Sequence, residues 1–494
     1  MLLLGFDIGS SSVKGAIIDG ATGKCIASAQ YPRQELPISA PHPGWAEQSP
    51  DTWWNCIKEV SRELFTAGKA EAAAVGAIGI SYQMHGLVAV DQSFTPLRPS
   101  IIWCDSRAVE TGNQAFKEIG AELCLSCMLN SPGNFTASKL KWVQENEPAI
   151  YEKIHRIMLP GDYIAMKLTG EITTTVSGLS EGIFWDFQQN QLAQPVMDHY
   201  GFSQSLIPGL VPTFGPQGTL RASVAAELGL PAGIPVTYRA GDQPNNAFSL
   251  NVLEPGDIAA TAGTSGVVYG VSGTVKYDPF SRVNSFAHVN HTAEKTRLGV
   301  LLCVNGTGIL NSWLKRNLHT EWDYQEMNQM AAEVAIGSEG LVILPFGNGA
   351  ERVLENRNPG CQISGIDFNR HSRGHLLRAA QEGIVCSFVY GMEIMKDMGI
   401  APKVIRAGRA NMFLSEIFRD TLAGLTGVPI ELYDTDGAQG AARAAGLGAG
   451  YYAGREETFA GLTKLSEIHP NTAHSQQLQD LYSRWKGVLS GILS

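Results

Sequence analysis

Apolar and polar positions fall into the same arrangement twice along this chain. Near the start, the β-prone run Phe6-Asp7-Ile8 meets Gly9-Ser10-Ser11-Ser12 and resumes as Val13-Lys14-Gly15-Ala16-Ile17-Ile18. In the second half, Ala259-Ala260-Thr261-Ala262 gives way to Gly263-Thr264-Ser265-Gly266 and then to Val267-Val268-Tyr269-Gly270-Val271. Each pattern predicts a β-hairpin whose turn offers backbone N–H groups and hydroxyls to an anion. One such turn is a weak signal. Two, at corresponding positions of two halves, predict related domains closing on one polyphosphate, the arrangement that nucleotide-dependent phosphoryl transfer needs.

The flanking patterns extend the prediction. Strands are expected at 6–9, 13–18 and 25–30, followed by a helix that Ser49, Pro50 and Asp51 would start. Its apolar residues Trp54, Ile57, Val60 and Leu64 recur near the helical period. Further strands are expected at 75–80, 87–90, 101–103 and 235–238. The second half repeats the theme with strands at 257–262, 267–271, 298–304 and 428–432, helices at 373–398 and 413–425, and an Ala/Gly-rich helix from about Ala438. Three strands, a helix, then alternating strands and helices describe an α/β protein of two RNase-H-like domains of the actin type, with a cleft between them. The boundary is expected within 245–255, dividing the chain into 1–247 and 248–494.

Composition narrows the function. A chain of 494 residues exceeds what one core usually serves. It carries 54 glycines, above the ordinary share of about 7%, as many tight turns and close backbone approaches require. A formal net charge of −10 argues against nucleic acid as the main partner. No run approaches a membrane-spanning length, and Met1-Leu2-Leu3-Leu4-Gly5-Phe6-Asp7 does not read as a signal peptide. The cysteines are dispersed apart from Cys124-Leu125-Ser126-Cys127, which nothing completes as a zinc site. A cytoplasmic protein with free thiols and no membrane association is expected.

Four segments carry candidate chemistry. Asp7 ends a strand just before the first phosphate turn; a carboxylate there would repel a triphosphate unless a cation intervened, which points to Mg²⁺. Asp242, in Gly241-Asp242-Gln243-Pro244-Asn245-Asn246, follows a strand at the domain junction and could take the proton of a hydroxyl attacking the γ-phosphorus. Ser81-Tyr82-Gln83-Met84-His85-Gly86 and Ile101-Ile102-Trp103-Cys104-Asp105-Ser106-Arg107 each place hydrogen-bonding and aromatic groups at a strand end, where α/β sheets bind ligands. Such mixed donors and acceptors suit a polyol.

In these motifs the chain resembles the FGGY carbohydrate kinases, from Leu4 to about Gly450. The resemblance implies that Gly9, Ser10, Ser11, Ser12 and Lys14 form the first phosphate motif and Gly263, Thr264 and Ser265 the second. It implies Asp242 as catalytic base, Asp7 as the metal residue, and Gln83, Met84, His85 and Asp105 as sugar contacts. Gln83-Met84-His85-Gly86 has the form typical of family members that act on xylulose, so D-xylulose 5-phosphate is the expected product. ATP would lie mainly on residues 248–494, reached by Gly308, Gly408 and Asn411, and the sugar on residues 1–247. The sequence departs from the family pattern in places: Ala407-Gly408-Arg409-Ala410-Asn411 replaces a glycine run, and Gln381 stands in the 375–382 signature where an apolar residue is usual. Thr136-x-x-Lys139 follows another signature, except for Asn134 at its first position. Alternatives are another ketose, polyol or sugar acid (ribulose, or gluconate, whose carboxylate Arg107 would have to meet), a non-catalytic sugar sensor, and an actin-like assembly module. A homodimer is possible on this reading.

Overall fold

The computed structural model describes residues 1–66, 70–318 and 321–494. Its first sheet has five strands: β1 (Leu2–Ile8), β2 (Val13–Asp19), β3 (Cys25–Tyr31), β4 (Val75–Tyr82) and β5 (Val236–Gly241). Their spatial order is β3-β2-β1-β4-β5. The first three form an antiparallel meander, and β4 and β5 run parallel to β1. Helix α1 (Pro50–Thr66) covers β2 and β3, burying Trp53, Trp54, Ile57, Val60 and Leu64. Between β4 and β5 the chain builds a largely helical insertion that includes α2 (Thr136–Asn146) and α3 (Val176–Glu181), whose apolar cluster also takes in Phe286, Ala287 and Leu298 of the second half.

Helix α4 (Asp242–Ser249) follows β5 directly. The expected division at 247/248 therefore falls inside this helix, and the chain crosses to the second sheet through residues 250–256. That sheet holds β6 (Asp257–Ala262), β7 (Gly266–Ser272), β8 (Asn284–Ala287), β9 (Leu298–Val304), β10 (Val404–Gly408), β11 (Ile430–Tyr433) and β12 (Lys464–Ile468). The spatial order β8-β9-β7-β6-β10-β11-β12 contains the order of the first sheet at its centre, β9-β7-β6-β10-β11, with one added strand at each edge. Helices α5 (Gly308–Leu318), α6 (Tyr324–Ala332), α7 (Arg373–Asp397) and α8 (Glu416–Thr426) pack with it. The segment expected to start a helix at 413 forms a 3₁₀ turn over Asn411–Leu414 instead, and Ser415 caps α8 by accepting the Phe418 N–H.

The last long connection, α9 (Gly437–Gly448), follows β11 yet lies across the first sheet, against β1 and β4. Small residues make this possible. Ala438, Ala441, Ala442 and Ala445 are buried, and a Cβ on Gly5 or Gly79 would come within 2.0 Å of the Ala438 or Ala441 carbonyl oxygen. In turn α4 and the loop after it meet β6 and β7 through Ala247, Leu250, Val252, Ala259, Tyr269 and Val271. Each half thus contributes a helix to the junction, beneath the ends of the strands that carry the site. Among the described residues no helix is long and apolar enough to cross a membrane. All eight cysteines are free, and no group of three potential metal ligands occurs among the described residues.

Candidate active site

Three parallel strands of the first sheet end side by side. Ile8 of β1 pairs with Tyr82 of β4, and Tyr82 with Gly241 of β5. Their C-terminal ends carry Asp7, the residues 83–85 and Asp242, so one sheet edge gathers groups distant in sequence, as parallel α/β sheets do. Asp242 opens α4 and is half-buried. Burial, and next the Asp7 charge, push its carboxyl up to about 7. A carboxylate poised there can exchange a proton near neutrality.

Asp7 is half-buried too; burial raises its pKa, while the Ser81 hydroxyl, donating to Oδ1 at 2.8 Å, and the nearby Lys14 oppose the rise. Lys14 stands directly opposite Asp7 on β2. Gly437 at the start of α9 lies against Asp7: a Cβ there would sit 2.4 Å from Oδ2. That leaves a carboxylate with one hydrogen-bond donor among its close neighbours, a second carboxylate raising the local negative charge, and hydroxyl-bearing turns alongside. This donor set fits a hydrated Mg²⁺, which takes one or two carboxylates and keeps several waters.

The first turn closes through the Gly9 N–H donating to the Ser12 carbonyl at 3.0 Å. Trp103 Nε1 donates to Ser10 Oγ (3.2 Å) and Gln30 Nε2 to Ser12 Oγ (3.1 Å). Both serine oxygens thereby accept from the protein and keep their O–H for an anion. Sequence reasoning placed Trp103 beside a polyol but missed this bond, which joins segments far apart in the chain.

His85 has φ of 62° and projects between Phe135 and Phe286, with ring centroids 4.8 and 5.3 Å away. Its Nδ1 lies 2.9 Å from the Glu181 carbonyl oxygen at the end of α3. A carbonyl only accepts, so Nδ1 carries the proton and Nε2 is left as an acceptor. Burial and the Lys139 charge lower the His85 pKa to about 3, keeping the ring neutral. Lys139 is fully buried, its own pKa lowered by burial to about 7, and its Nζ donates to the carbonyls of His85 (2.8 Å) and Ile102 (3.0 Å). It ties the two expected sugar loops together. Met84 is buried, and its Cγ would lie 2.6 Å from a Cβ on Gly241, the residue before Asp242.

The other two expected sugar contacts, Gln83 and Asp105, are buried. Gln83 is 2% exposed and its Nε2 faces Gln48 Oε1 at 3.5 Å; Gln48 in turn donates to the Ser10 carbonyl at 2.6 Å. Gln83 Oε1 is buried and has no hydrogen-bond partner among the described residues. Asp105 is fully buried: Oδ2 accepts from the Ala46 N–H (2.5 Å) and Arg107 Nη2 (2.7 Å), and Oδ1 from the Arg107 N–H (2.8 Å). Arg107 also pairs with Glu47 and stacks on Trp45, 3.7 Å from the ring centroid. Asn134, the departure noted above, donates to the Asp105 carbonyl.

In the second half, Gly263, Thr264, Gly308, Asn411 and Ser415 line a cavity of about 300 Å³. The Gly308 and Ile309 N–H groups donate to the Gly263 (2.9 Å) and Thr264 (3.1 Å) carbonyls. Residue 308 must be glycine for a reason internal to the protein, since a Cβ would meet the Gly263 oxygen at 2.3 Å. Gly408 differs: a Cβ there would meet no protein atom within 4 Å, so the space beside it is open. Ser265 is half-buried in the same turn, and Arg409 points to solvent.

Two copies of one sheet topology, with phosphate-type turns on both and carboxylates at adjoining strand ends, mark the chain as a two-domain kinase acting on a small hydroxyl compound. The chain belongs to the FGGY family of carbohydrate kinases: residues 2–249 match the N-terminal domain of that family and residues 258–449 its C-terminal domain. It is 30% identical to the xylulose kinase of Klebsiella pneumoniae over 455 residues, 90% of this chain and 89% of that protein. It is 29% identical to the xylulose kinase of Escherichia coli (strain K12) over 457 residues, 91% of this chain and 90% of that protein. The crystal structure of xylulose kinase from Rhodospirillum rubrum superposes with a TM-score of 0.90 at 27% identity, covering 100% of this chain and 99% of that one. Membership makes the protein a sugar phosphotransferase with ATP as its phosphate donor.

Proposed function

We propose that the protein transfers the γ-phosphoryl group of ATP to the 5-hydroxyl of D-xylulose, with Asp242 as general base. One observation carries this reading: Asp242, its carboxyl raised to about 7, stands at the same sheet edge as neutral His85 and buried Met84. The sugar would lie against His85, whose Nε2 accepts a hydroxyl hydrogen, and over the Met84 side chain. ATP would occupy the cavity beside Gly263, Gly308, Gly408 and Asn411, its phosphates between residues 10–12 and 263–265. Asp7 would hold Mg²⁺, which supplies charge neutralisation along the polyphosphate. Asp242 takes the proton as the hydroxyl attacks, and closure of the domains would exclude water. Positioning could supply several of the roughly 7–11 kcal/mol open to an intramolecular arrangement. The base would add about 10²–10⁴ in rate.

The long identity with xylulose kinases supports the choice of sugar. The commitment of Arg107 to Asp105 and Glu47 speaks against a sugar acid, whose carboxylate would need that cation. The test is ADP release with Mg-ATP and D-xylulose, L-xylulose, D-ribulose, L-ribulose, glycerol, gluconate or no acceptor. D-Xylulose should dominate, and Asp242→Asn should abolish its signal. A different dominant acceptor would overturn the sugar; equal release with every acceptor and with none would overturn the kinase reading.

A further inference from the structure

The polar residue that departs from the family signature, Gln381, is fully buried on α7, with Leu377, Ile384 and Val385 buried on the same helix. A buried amide without partners costs about 1–3 kcal/mol, so its bonds indicate what it is for. Ser415 Oγ lies 2.5 Å from Gln381 Oε1, and Gln381 Nε2 lies 2.9 Å from Asn328 Oδ1 on α6. These ends are not interchangeable. A separation of 2.5 Å belongs to O–H···O contacts and falls below the roughly 2.7–3.2 Å of N–H···O. Ser415 Oγ already accepts the Phe418 N–H at 3.3 Å and has its own hydrogen to give. The glutamine oxygen therefore faces Ser415, its nitrogen faces Asn328, and Asn328 must answer with oxygen. What Asn328 has left for the cavity it lines, together with Gly308 and Asn411, is its N–H pair. A serine at a helix N-terminus thus sets the polarity of an amide on the cavity wall, two side chains away.

We propose that Asn328 reads the base of the bound nucleotide: its amide N–H donates to adenine N1, and it opposes guanine and hypoxanthine, which carry hydrogen at that atom. This rests on the assignment of the cavity to ATP. Gln381 is the positioning residue. Without it the asparagine amide could turn over and offer oxygen to an N1–H base.

The experiment is titration calorimetry of the whole protein with ADP, IDP and the diphosphate of purine riboside, which keeps N1 as an acceptor but lacks the 6-amino group. ADP and the purine riboside compound should bind alike, each at least about tenfold tighter than IDP. Asn328→Asp, which presents only acceptors, should weaken ADP by about tenfold and erase that preference. Gln381→Leu should bring the ADP-to-IDP ratio toward one while ADP still binds; Ser415→Ala, which releases the same amide, serves if the buried substitution fails to fold. Equal wild-type affinity for ADP and IDP would overturn the proposal, as would a preference that survives Asn328→Asp. A folded wild-type protein that binds none of the three would instead overturn the assignment of the cavity to nucleotide.

Discussion

Replacing Asp242 by asparagine removes a negative charge from a sheet edge that already carries Asp7, and catalysis and stability should then move in opposite directions. The wild-type carboxyl is raised from 3.8 to about 7, first by burial and then by Asp7. The native state thus holds this proton more tightly than the unfolded chain does, and the associated stability is complete below about pH 3.8 and lost as pH rises through about 7. Fully realised, a shift of that size corresponds to roughly 4 kcal/mol at 1.36 per pH unit; with Asp242 half-exposed, screening reduces it to about 1–2 kcal/mol. The substituted amide stays neutral at every pH, so the variant should melt about 2–4 °C above wild type at pH 8 in the absence of ligand, and together with it at pH 4. Its kcat should fall at least about a hundredfold. Thermal scans at the two pH values and steady-state ADP release with D-xylulose measure both. A variant with near-normal kcat would refute the base assignment. Equal melting temperatures at pH 8, with kcat lost, would refute the electrostatic argument but leave the base in place.

Wild-type kcat/KM for sugar should rise with pH through about 7, because the ionised Asp242 is the active form, and a profile flat from pH 5 to 9 would contradict this. No second limb from His85 is expected in that window, since its pKa is held near 3. His85→Ala should raise KM for sugar by about tenfold, with KM for ATP little changed; a change confined to ATP would place His85 elsewhere. Lys139→Met should also raise the sugar KM by loosening the loops at His85 and Ile102, an effect absent from the ADP affinity measured by calorimetry. Gly5→Ala should lower stability by about 1–3 kcal/mol in urea unfolding, because the new methyl would meet the Ala438 carbonyl; an unchanged midpoint would show that α9 does not pack where described.

Much of the fold was legible in local pattern. The hairpins around Gly9 and Gly263, the cap-and-proline start of α1 and the alternating second half follow from backbone requirements that act within a few residues. Strand ends and helix starts moved by a few positions, as at β1, which begins at Leu2, and at α8, where Ser415 takes the cap. Asp7, Asp242 and His85 stand at strand ends, where their motifs led one to expect ligand chemistry. Asp105 shows the limit: its sequence suits a polyol, but its carboxylate oxygens accept from Ala46 and Arg107. No local signal marks which partner a buried polar group will find.

The sequence by itself determined the two glycine- and hydroxyl-rich hairpin turns and the class of fold, because each depends on residue type and short-range geometry. Tertiary structure decided that α9 crosses to the opposite sheet, that Trp103 and Gln30 leave the Ser10 and Ser12 hydroxyls free to donate, and that Asp242 is raised toward neutrality. It also decided that Gln381 bonds Ser415 and Asn328, two residues that line the cavity beside Gly308. These outcomes depend on burial and on hydrogen-bond partners from distant segments, and both come into being only when the chain has packed.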